Sequence, residues 1–259
     1  MTSDPIEMWN LADYAPTAQR LEPVADTIID TVTRALLPPA VAVDVGAGHG
    51  QLATRLAAGG YRTFAQEPSR RMRQVGEART GTGVGWLATT AEETGLADAS
   101  VDVATSSFAL MFADPQRGPQ EIARILRPHG LLVMTAWAPR GFLHRMTTAM
   151  LTVLPRMAAA PHLGWGDPSV AQARLEPYFH DIAVERHELP WRFASVTDGM
   201  AFYHHGSPAH AAAFAMAGDQ RAALDARLRQ HLHDDTSADG SIDTTTEYLL
   251  ISARRGPTP

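Results

Sequence analysis

The chain has 259 residues, long enough for one large α/β domain or a domain with a substantial cap, and its 45% hydrophobic and 19% charged residues are typical of a globular protein. Its formal net charge of −6 argues against a nucleic-acid partner, because phosphate binding needs a basic face, and its lack of cysteine excludes disulfides and thiolate metal ligands. The first residues lack the pattern of a signal peptide, and no apolar run is long enough to cross a bilayer, so we expect a cytoplasmic protein without membrane contact.

The chain then alternates between the periodicities of helices and strands. A helix is predicted over 17–37, ended by Pro38-Pro39, and a short apolar strand follows over 41–45. Strands and helices that alternate at this interval predict βαβ crossovers and a doubly wound, mostly parallel sheet. The other predicted strands cover 62–66, 84–87, 101–105, 130–137, 182–189 and 247–253, and the other helices cover 49–58, 70–79, 118–127 and Ser169 to about Tyr178.

Two long segments, 141–166 and 196–235, interrupt this alternation. The first combines a helical stretch with a Pro- and Gly-containing loop, and the second is mostly helical and rich in alanine. Both are far longer than a connection between neighbouring strands needs. We therefore predict one domain over 1–259, in which these two segments form a helical cap over the functional site.

A glycine-rich loop with Gly46, Gly48 and Gly50 follows the first predicted strand and opens a helix. Glycine lets the backbone approach a ligand closely, and the amides at a helix N-terminus favour an anionic group. The dinucleotide pattern G-x-G-x-x-G is broken at Gln51 when counted from Gly46, whereas its looser form ending in alanine is met at Ala53 when counted from Gly48. The spacing alone leaves a dinucleotide open.

Two carboxylates stand at the ends of successive predicted strands. Asp44 would sit unfavourably beside a pyrophosphate, but it suits a ligand that carries an ammonium and a sulfonium. Glu67 can accept hydrogen bonds from both ribose hydroxyls of an adenosine, so it supports a nicotinamide dinucleotide and S-adenosylmethionine (SAM) equally. Asp44 therefore shifts the balance toward SAM, and Glu67 supports an adenosine in either cofactor.

Several motifs carry a resemblance to a known family. They are Val-Asp-Val-Gly-Ala-Gly-His-Gly (43–50), Gln-Glu-Pro-Ser-Arg-Arg-Met (66–72), Thr-Ala-Glu-Glu-Thr-Gly-Leu (90–96), Ser-Ser-Phe-Ala-Leu-Met-Phe (106–112) and the N-terminal segment from Met8 to Tyr14. In these motifs the chain resembles the class I SAM-dependent methyltransferases of the ubiquinone/menaquinone-biosynthesis type, in particular small actinobacterial members that act on small molecules. The resemblance implies a Rossmann-like, seven-stranded sheet and SAM as cofactor. It also implies cofactor contacts from Tyr14, Asp44, Gly46, Ala47, Gly48, Glu67, Pro68, Met72, Ala91, Glu92 and Ser106.

The sequence gives fewer signals for the residues that bind the methyl acceptor. Aromatic residues in the two inserted segments suit an apolar or aromatic substrate, with His162, Trp165 and Tyr203 as candidate contacts. A base is needed only if the acceptor must lose a proton, and the candidates are His204 or His205 rather than His162. No pair of histidines has the neighbouring carboxylates that a metal site needs. The motif that comes nearest is His231-x-His233, followed by two aspartates, which we interpret as a solvated helix end.

The sequence is compatible with three functions. The first is a small-molecule methyltransferase, O-directed by preference, and the second is a SAM-binding catalyst of another reaction, such as a cyclase or pericyclase of natural-product biosynthesis. The third is a dinucleotide-dependent oxidoreductase. The expected partner is a small-molecule substrate, and the expected state is a monomer or homodimer.

Overall fold

The computed structural model describes residues 6–159 and 161–256 and divides the chain into two compact units. We call them the sheet unit and the helix-rich unit. The sheet unit consists of Leu21–Trp137, Pro161–His187 and Tyr248–Pro259. The helix-rich unit consists of Met1–Arg20, Ala138–Ala160 and Glu188–Glu247.

Seven strands form one sheet. They are β1 (Val41–Val45), β2 (Arg62–Gln66), β3 (Val84–Leu87), β4 (Val101–Ser106), β5 (Leu126–Arg140), β6 (Phe179–Phe193) and β7 (Ile242–Arg255). Their order in the sheet is β3-β2-β1-β4-β5-β7-β6, with β1 to β5 parallel and β7 antiparallel to β5. The predicted fold, a mostly parallel seven-stranded sheet, is confirmed.

Ten α-helices connect the strands or lie in the inserted segments. They are α1 (Ala15–Arg20), α2 (Glu22–Ala35), α3 (Gln51–Ala58), α4 (Arg70–Thr80), α5 (Arg117–Ile125), α6 (Gly141–Val153), α7 (Pro168–Leu175), α8 (Val196–Ala201), α9 (Pro208–Ala217) and α10 (Arg221–Asp234), counted over the residues described. Between α8 and α9 runs a π-helical segment, Phe202–Gly206.

The strand order positions the functional loops. β1 lies between β2 and β4. The strand order reverses at this point: the connections from β1 to β3 run toward one edge of the sheet, and those from β4 onward run toward the other. In such sheets a crevice forms beyond the carboxyl ends of the strands at the reversal. Asp44 lies near the end of β1, Glu67 directly after β2, and Ser106 at the end of β4. The residues that sequence reasoning placed at strand ends therefore meet at one edge of the sheet.

Several predicted boundaries were wrong. The helix expected over 17–37 is two helices, because α2 restarts at Glu22 with a proline in its first turn. Asp167, rather than Ser169, caps α7; its carboxylate accepts a hydrogen bond from the Ser169 amide at 2.8 Å, and the helix ends at Leu175. The last strand begins at Ile242, five residues before the expected start at position 247.

The helix-rich unit gathers segments that are distant in sequence. The N-terminal segment is hydrogen-bonded to the π-helical segment, from the Asp13 amide to the His205 carbonyl at 3.0 Å and from the Thr17 hydroxyl to the Gly206 carbonyl at 2.7 Å. Residues 141–159 and 196–235 belong to this unit, whereas 161–166 belong to the sheet unit. That the two inserted segments act as a cap stays a prediction.

Candidate functional site

The glycine loop has a backbone that needs glycine. Gly46, Gly48 and Gly50 have φ values of +68°, +55° and +75°, in the left-handed region that other residues rarely adopt. A Cβ added at Gly46 would lie 2.2 Å from the Cβ of Ala109. Sequence reasoning attributed Gly46 to the approach of a ligand; the structure shows that the segment after β4 also packs against it.

Two side chains at the end of β2 hold the loop amides. Gln66 Oε1 accepts a hydrogen bond from the Gly46 amide at 3.0 Å, and Glu67 Oε2 accepts one from the Gly48 amide at 2.9 Å. The Ala47 amide donates to the Gln66 carbonyl at 2.9 Å. The end of the second strand therefore holds the loop in place.

Glu67 is buried and hydrogen-bonded at both carboxylate oxygens, because its Oε1 accepts from the Ser69 amide at 2.7 Å. Burial raises the pKa of Glu67, and the amides of Ser69 and Gly48 oppose that shift by stabilising the charged form. Each carboxylate oxygen can accept more than one hydrogen bond, so the anchored carboxylate remains able to accept from ribose hydroxyls. Two other predicted residues follow Glu67 in the sequence: Pro68 is half-buried, and Met72, in the first turn of α4, is buried.

Asp44 is a buried carboxylate without a cation. It is 2% exposed and accepts a hydrogen bond from the Thr105 hydroxyl at 3.2 Å. Burial raises the pKa of Asp44 to about 7; the Thr105 hydroxyl and the Ala53 amide oppose the shift, and the charge of Glu67 adds to it. No ion pair with Asp44 forms anywhere in residues 6–159 and 161–256. Because an unpaired buried carboxylate is costly, this position fits the ammonium of SAM, and the donor set as a whole fits the cofactor.

Two further predicted residues hold neighbouring loops in place. The Ser106 hydroxyl donates to the Val45 carbonyl at 2.9 Å and accepts from the Leu110 amide at 2.8 Å, which ties the end of β4 to β1. The Glu92 carboxylate accepts from the Asp114 amide at 2.8 Å. Ala91, beside Glu92, is half-buried in the loop after β3.

Sequence reasoning missed two contributors to this site. Gln66 also donates from its amide nitrogen to the Thr89 carbonyl, so one side chain connects the glycine loop to the loop after β3. Thr105 lies opposite Asp44 in the parallel register of β1 and β4. Both positions could have been found from the alignment of strand ends, since each adjoins a residue that was predicted.

His162 and Trp165 lie in the sheet unit. The His162 ring is 4.6 Å from the Phe112 ring, and burial lowers the pKa of His162. Trp165 is completely buried, with the Arg174 guanidinium 4.9 Å from its ring. His162 thus lies beside the segment that follows β4, while Trp165 is in the interior.

The other four predicted residues lie together in the helix-rich unit. Tyr14 is half-buried and packs edge-on against Trp9, with 6.2 Å between ring centroids. Tyr203, His204 and His205 lie in the π-helical segment, to which the N-terminal segment is hydrogen-bonded. The structure therefore brings the segment of Tyr14 to the segment of the three candidates for acceptor chemistry.

The two candidate bases differ in their surroundings. His204 Nε2 lies 2.9 Å from Asp225 Oδ1, and its ring stacks on Phe214 at 4.3 Å. His205 is exposed, and its ring is 5.9 Å from the His204 ring. A carboxylate that orients an imidazole is the arrangement of a general base, so the geometry favours His204. Asp225 gave no sequence signal, because it is 21 residues away on another helix.

The interpretation of His231-x-His233 as a solvated helix end was wrong for its first histidine. His231 is 5% exposed and packs on Phe142 at 4.4 Å, whereas His233 is exposed. His231 stands three residues after Leu228 and seven after Leu224, so it lies on the apolar face of α10. No metal-binding group of His, Asp or Glu forms within the described part of the chain.

The chain is similar to known methyltransferases. Residues 43–134 match the family described as "Methyltransferase domain". An uncharacterised protein of Mycobacterium tuberculosis is 27% identical over 96% of this chain and 93% of that protein. The ubiquinone/menaquinone biosynthesis C-methyltransferase of Rubrivivax gelatinosus is 37% identical over 123 residues, which are 45% of this chain and 48% of that protein.

Among solved structures, the fold is similar to that of phosphoethanolamine N-methyltransferase 2 of Haemonchus contortus, with a TM-score of 0.57 and 15% identity over 90% of this chain and 53% of that chain. That protein was solved in complex with phosphomonomethylethanolamine and S-adenosylhomocysteine. Within residues 6–159 and 161–256, no helix is long and apolar enough to span a membrane.

Proposed function

We propose that this chain, whose residues 43–134 form a class I SAM-dependent methyltransferase domain, methylates an oxygen atom of a small, apolar or aromatic metabolite. SAM is the cofactor of this enzyme. When bound, it supplies a methyl group on a sulfonium, which the acceptor atom displaces in line. The residues that would hold it are Asp44, Glu67 and the amides of the glycine loop, as their burial and hydrogen bonds indicate.

The observation that carries the choice of oxygen is the pair of His204 and Asp225. A hydroxyl acceptor is a weak nucleophile until it loses its proton, and an imidazole whose one nitrogen is held by a carboxylate can accept that proton at the other. The names of similar methyltransferases give different acceptor atoms, carbon in one and nitrogen in another, so they do not decide this point.

The aromatic character of the acceptor is supported by rings in both units. In the sheet unit, His162 stacks beside Phe112. In the helix-rich unit, Phe193, Phe202 and Tyr203 lie within 6.1 Å of one another, centroid to centroid. Rings at these separations favour an apolar or aromatic molecule over a strongly charged one.

The experiment is a methyl-transfer assay with SAM and a panel of aromatic hydroxy compounds, each matched with the amine of the same carbon skeleton. S-adenosylhomocysteine formation and the mass of the product are measured together. We expect methyl ethers from the hydroxy compounds and little product from the amines. Methylation of the amines in preference to the hydroxy compounds would show that the enzyme is not O-directed.

The alternative of a SAM-binding catalyst without methyl transfer is not favoured by the comparisons, and a dinucleotide-dependent oxidoreductase is set aside because SAM is the cofactor. The proposal also keeps three expectations from the sequence: a cytoplasmic enzyme, a monomer or homodimer, and a role in natural-product biosynthesis.

A further inference from the structure

Two buried polar atoms on helical segments of the helix-rich unit have no hydrogen-bond partner among the described residues. They are the hydroxyl of Tyr203, whose side chain is 0% exposed, and Nε2 of His231, which is 5% exposed. Buried polar atoms are nearly always paired with protein, water or a ligand, so each unpaired one calls for an explanation. Tyr203 also lies in a π-helical segment, a feature found frequently at functional sites.

Both atoms belong to one aromatic cluster. The Tyr203 ring stacks on His210 at 4.4 Å and meets Phe193 edge-on at 6.1 Å. The His231 ring lies 4.4 Å from Phe142, which is in turn 6.2 Å from Phe193. Phe193 therefore adjoins both halves of the cluster, and the side chains that carry the two unpaired atoms pack on aromatic rings.

The other polar groups around the cluster are already paired. His210 Nδ1 is hydrogen-bonded to the Ser207 hydroxyl at 2.6 Å. The Asp235 carboxylate accepts two hydrogen bonds from the Arg145 guanidinium, at 2.6 and 2.8 Å. Tyr203 and His231, by contrast, are able to hydrogen-bond a ligand.

We propose that the Tyr203 hydroxyl and His231 Nε2 form the hydrogen-bonding end of a binding site for a neutral aromatic molecule that carries a hydroxyl or carbonyl group. The inference rests on the proposed function, since it deepens what the acceptor must look like. The occupant is neutral because neither hydrogen-bonding group carries a charge to pair with it; the Arg145 and Asp235 charges pair with each other, and the Arg20 guanidinium, 4.4 Å from the Phe193 ring, donates to the Arg192 carbonyl. Burial also keeps both groups uncharged at neutral pH, since it lowers the pKa of His231 to about 4 and raises that of Tyr203.

The test compares two Tyr→Phe variants of the full chain. Tyr203→Phe removes an unpaired hydroxyl, whereas Tyr248→Phe removes the hydroxyl of another buried tyrosine, which donates to the Thr27 hydroxyl at 3.3 Å. We expect Tyr248→Phe to lower the melting temperature and Tyr203→Phe to leave it unchanged or raise it. Because Tyr203→Phe keeps the ring and its packing, failure to fold does not confuse the result.

Binding is measured by fluorescence titration with naphthol, naphthalene and naphthoate, on protein saturated with S-adenosylhomocysteine. The natural chain should bind naphthol at least about fivefold more tightly than either of the other probes, as expected for one or two neutral hydrogen bonds. Tyr203→Phe and His231→Leu should each bring the ratio of naphthol to naphthalene affinity close to one, and Tyr248→Phe should keep it. A natural chain that does not prefer naphthol, or a Tyr203→Phe variant that still does, overturns the proposal.

These titrations do not depend on methyl transfer. If naphthol is methylated but Tyr203→Phe binds it normally, the binding site is wrong and the proposed function stands. If naphthol binding depends on Tyr203 but no aromatic hydroxy compound is methylated, the binding site stands and the O-directed function is wrong.

Discussion

The glycine loop, our proposed cofactor site, and the aromatic cluster of the helix-rich unit differ in how their buried polar groups are hydrogen-bonded. Around the glycine loop, the side chains of Gln66, Glu67 and Ser106 each make hydrogen bonds to backbone amides or carbonyls of neighbouring segments. In the aromatic cluster, the Tyr203 hydroxyl and His231 Nε2 have no partner among the described residues.

The difference indicates how the two regions acquire specificity. A cofactor that is the same for every member of a family can be met by a loop whose shape the protein alone fixes, and such a preorganised loop loses little entropy on binding. An acceptor that differs from enzyme to enzyme can instead be recognised by buried polar side chains whose hydrogen bonds are completed only when the acceptor binds.

The largest effect is expected at Gly46. Gly46→Val should abolish SAM binding and lower the melting temperature, because its Cβ would lie 2.2 Å from the Cβ of Ala109 and its φ is +68°. Gly81→Val is the matched control: φ there is also positive, at +54°, but no atom lies within 4 Å of the added Cβ. Backbone strain of about 1–3 kcal/mol should then be the whole cost at Gly81. Calorimetric titration with SAM and thermal melts measure both effects; SAM binding by Gly46→Val with natural affinity would show that the loop is not preorganised by this contact.

Glu67→Ala should weaken SAM binding by roughly 2–4 kcal/mol, because it removes charge-assisted hydrogen bonds to the ligand and the anchor of the Gly48 and Ser69 amides. The control is Glu77→Ala, which removes an exposed carboxylate whose ion pair with Arg73 spans 3.7 Å. It should lower the free energy of unfolding by at most about 1 kcal/mol and leave the affinity for SAM unchanged. Both affinities are measured by calorimetric titration. Equal affinities for the two variants would contradict the assignment of Glu67.

The sheet unit could be predicted from the sequence because each of its elements depends on local rules. A buried parallel strand reads as a short apolar run, and a left-handed loop requires glycine; β1, β2 and β3 have the bounds that the sequence predicted. The aromatic cluster could not be predicted in the same way, because Phe142, Phe193, Tyr203 and His231 come together only through long-range packing. Only the helical spacing of His231 relative to Leu228 carried a local signal.

His204→Ala should reduce turnover by about 10²-fold at saturating SAM and flatten its pH dependence, if the imidazole removes the acceptor's proton. Asp225→Asn should reduce turnover by about tenfold, because His204 Nε2 would lose the carboxylate that orients it at 2.9 Å. His205→Ala and His162→Ala are the controls and should stay within a few-fold of the natural enzyme. Turnover that is retained in His204→Ala would mean that catalysis rests on positioning alone.

Asp44 gives the most specific prediction, because this buried carboxylate of the proposed cofactor site resembles the polar groups of the aromatic cluster: it forms no ion pair with the described residues. Its pKa is about 7 in the folded protein, against 3.8 for an ordinary aspartate. Between these two values the unfolded chain is ionised while the folded chain keeps its proton, so the stability of the cofactor-free protein should fall as the pH rises toward 7 and then level off. Asp44→Asn should remove this pH dependence and raise the melting temperature at about pH 8.

The affinity for SAM should show the opposite trend. It should rise by up to about tenfold per pH unit below the pKa of Asp44, because the ammonium of SAM pairs with the ionised carboxylate. Titrations and melts at about pH 6, 7 and 8 measure both slopes. If Asp44→Asn keeps the slope of the natural chain, the carboxylate is not the group that meets the ammonium, and the cofactor loop is then fully satisfied by the protein itself.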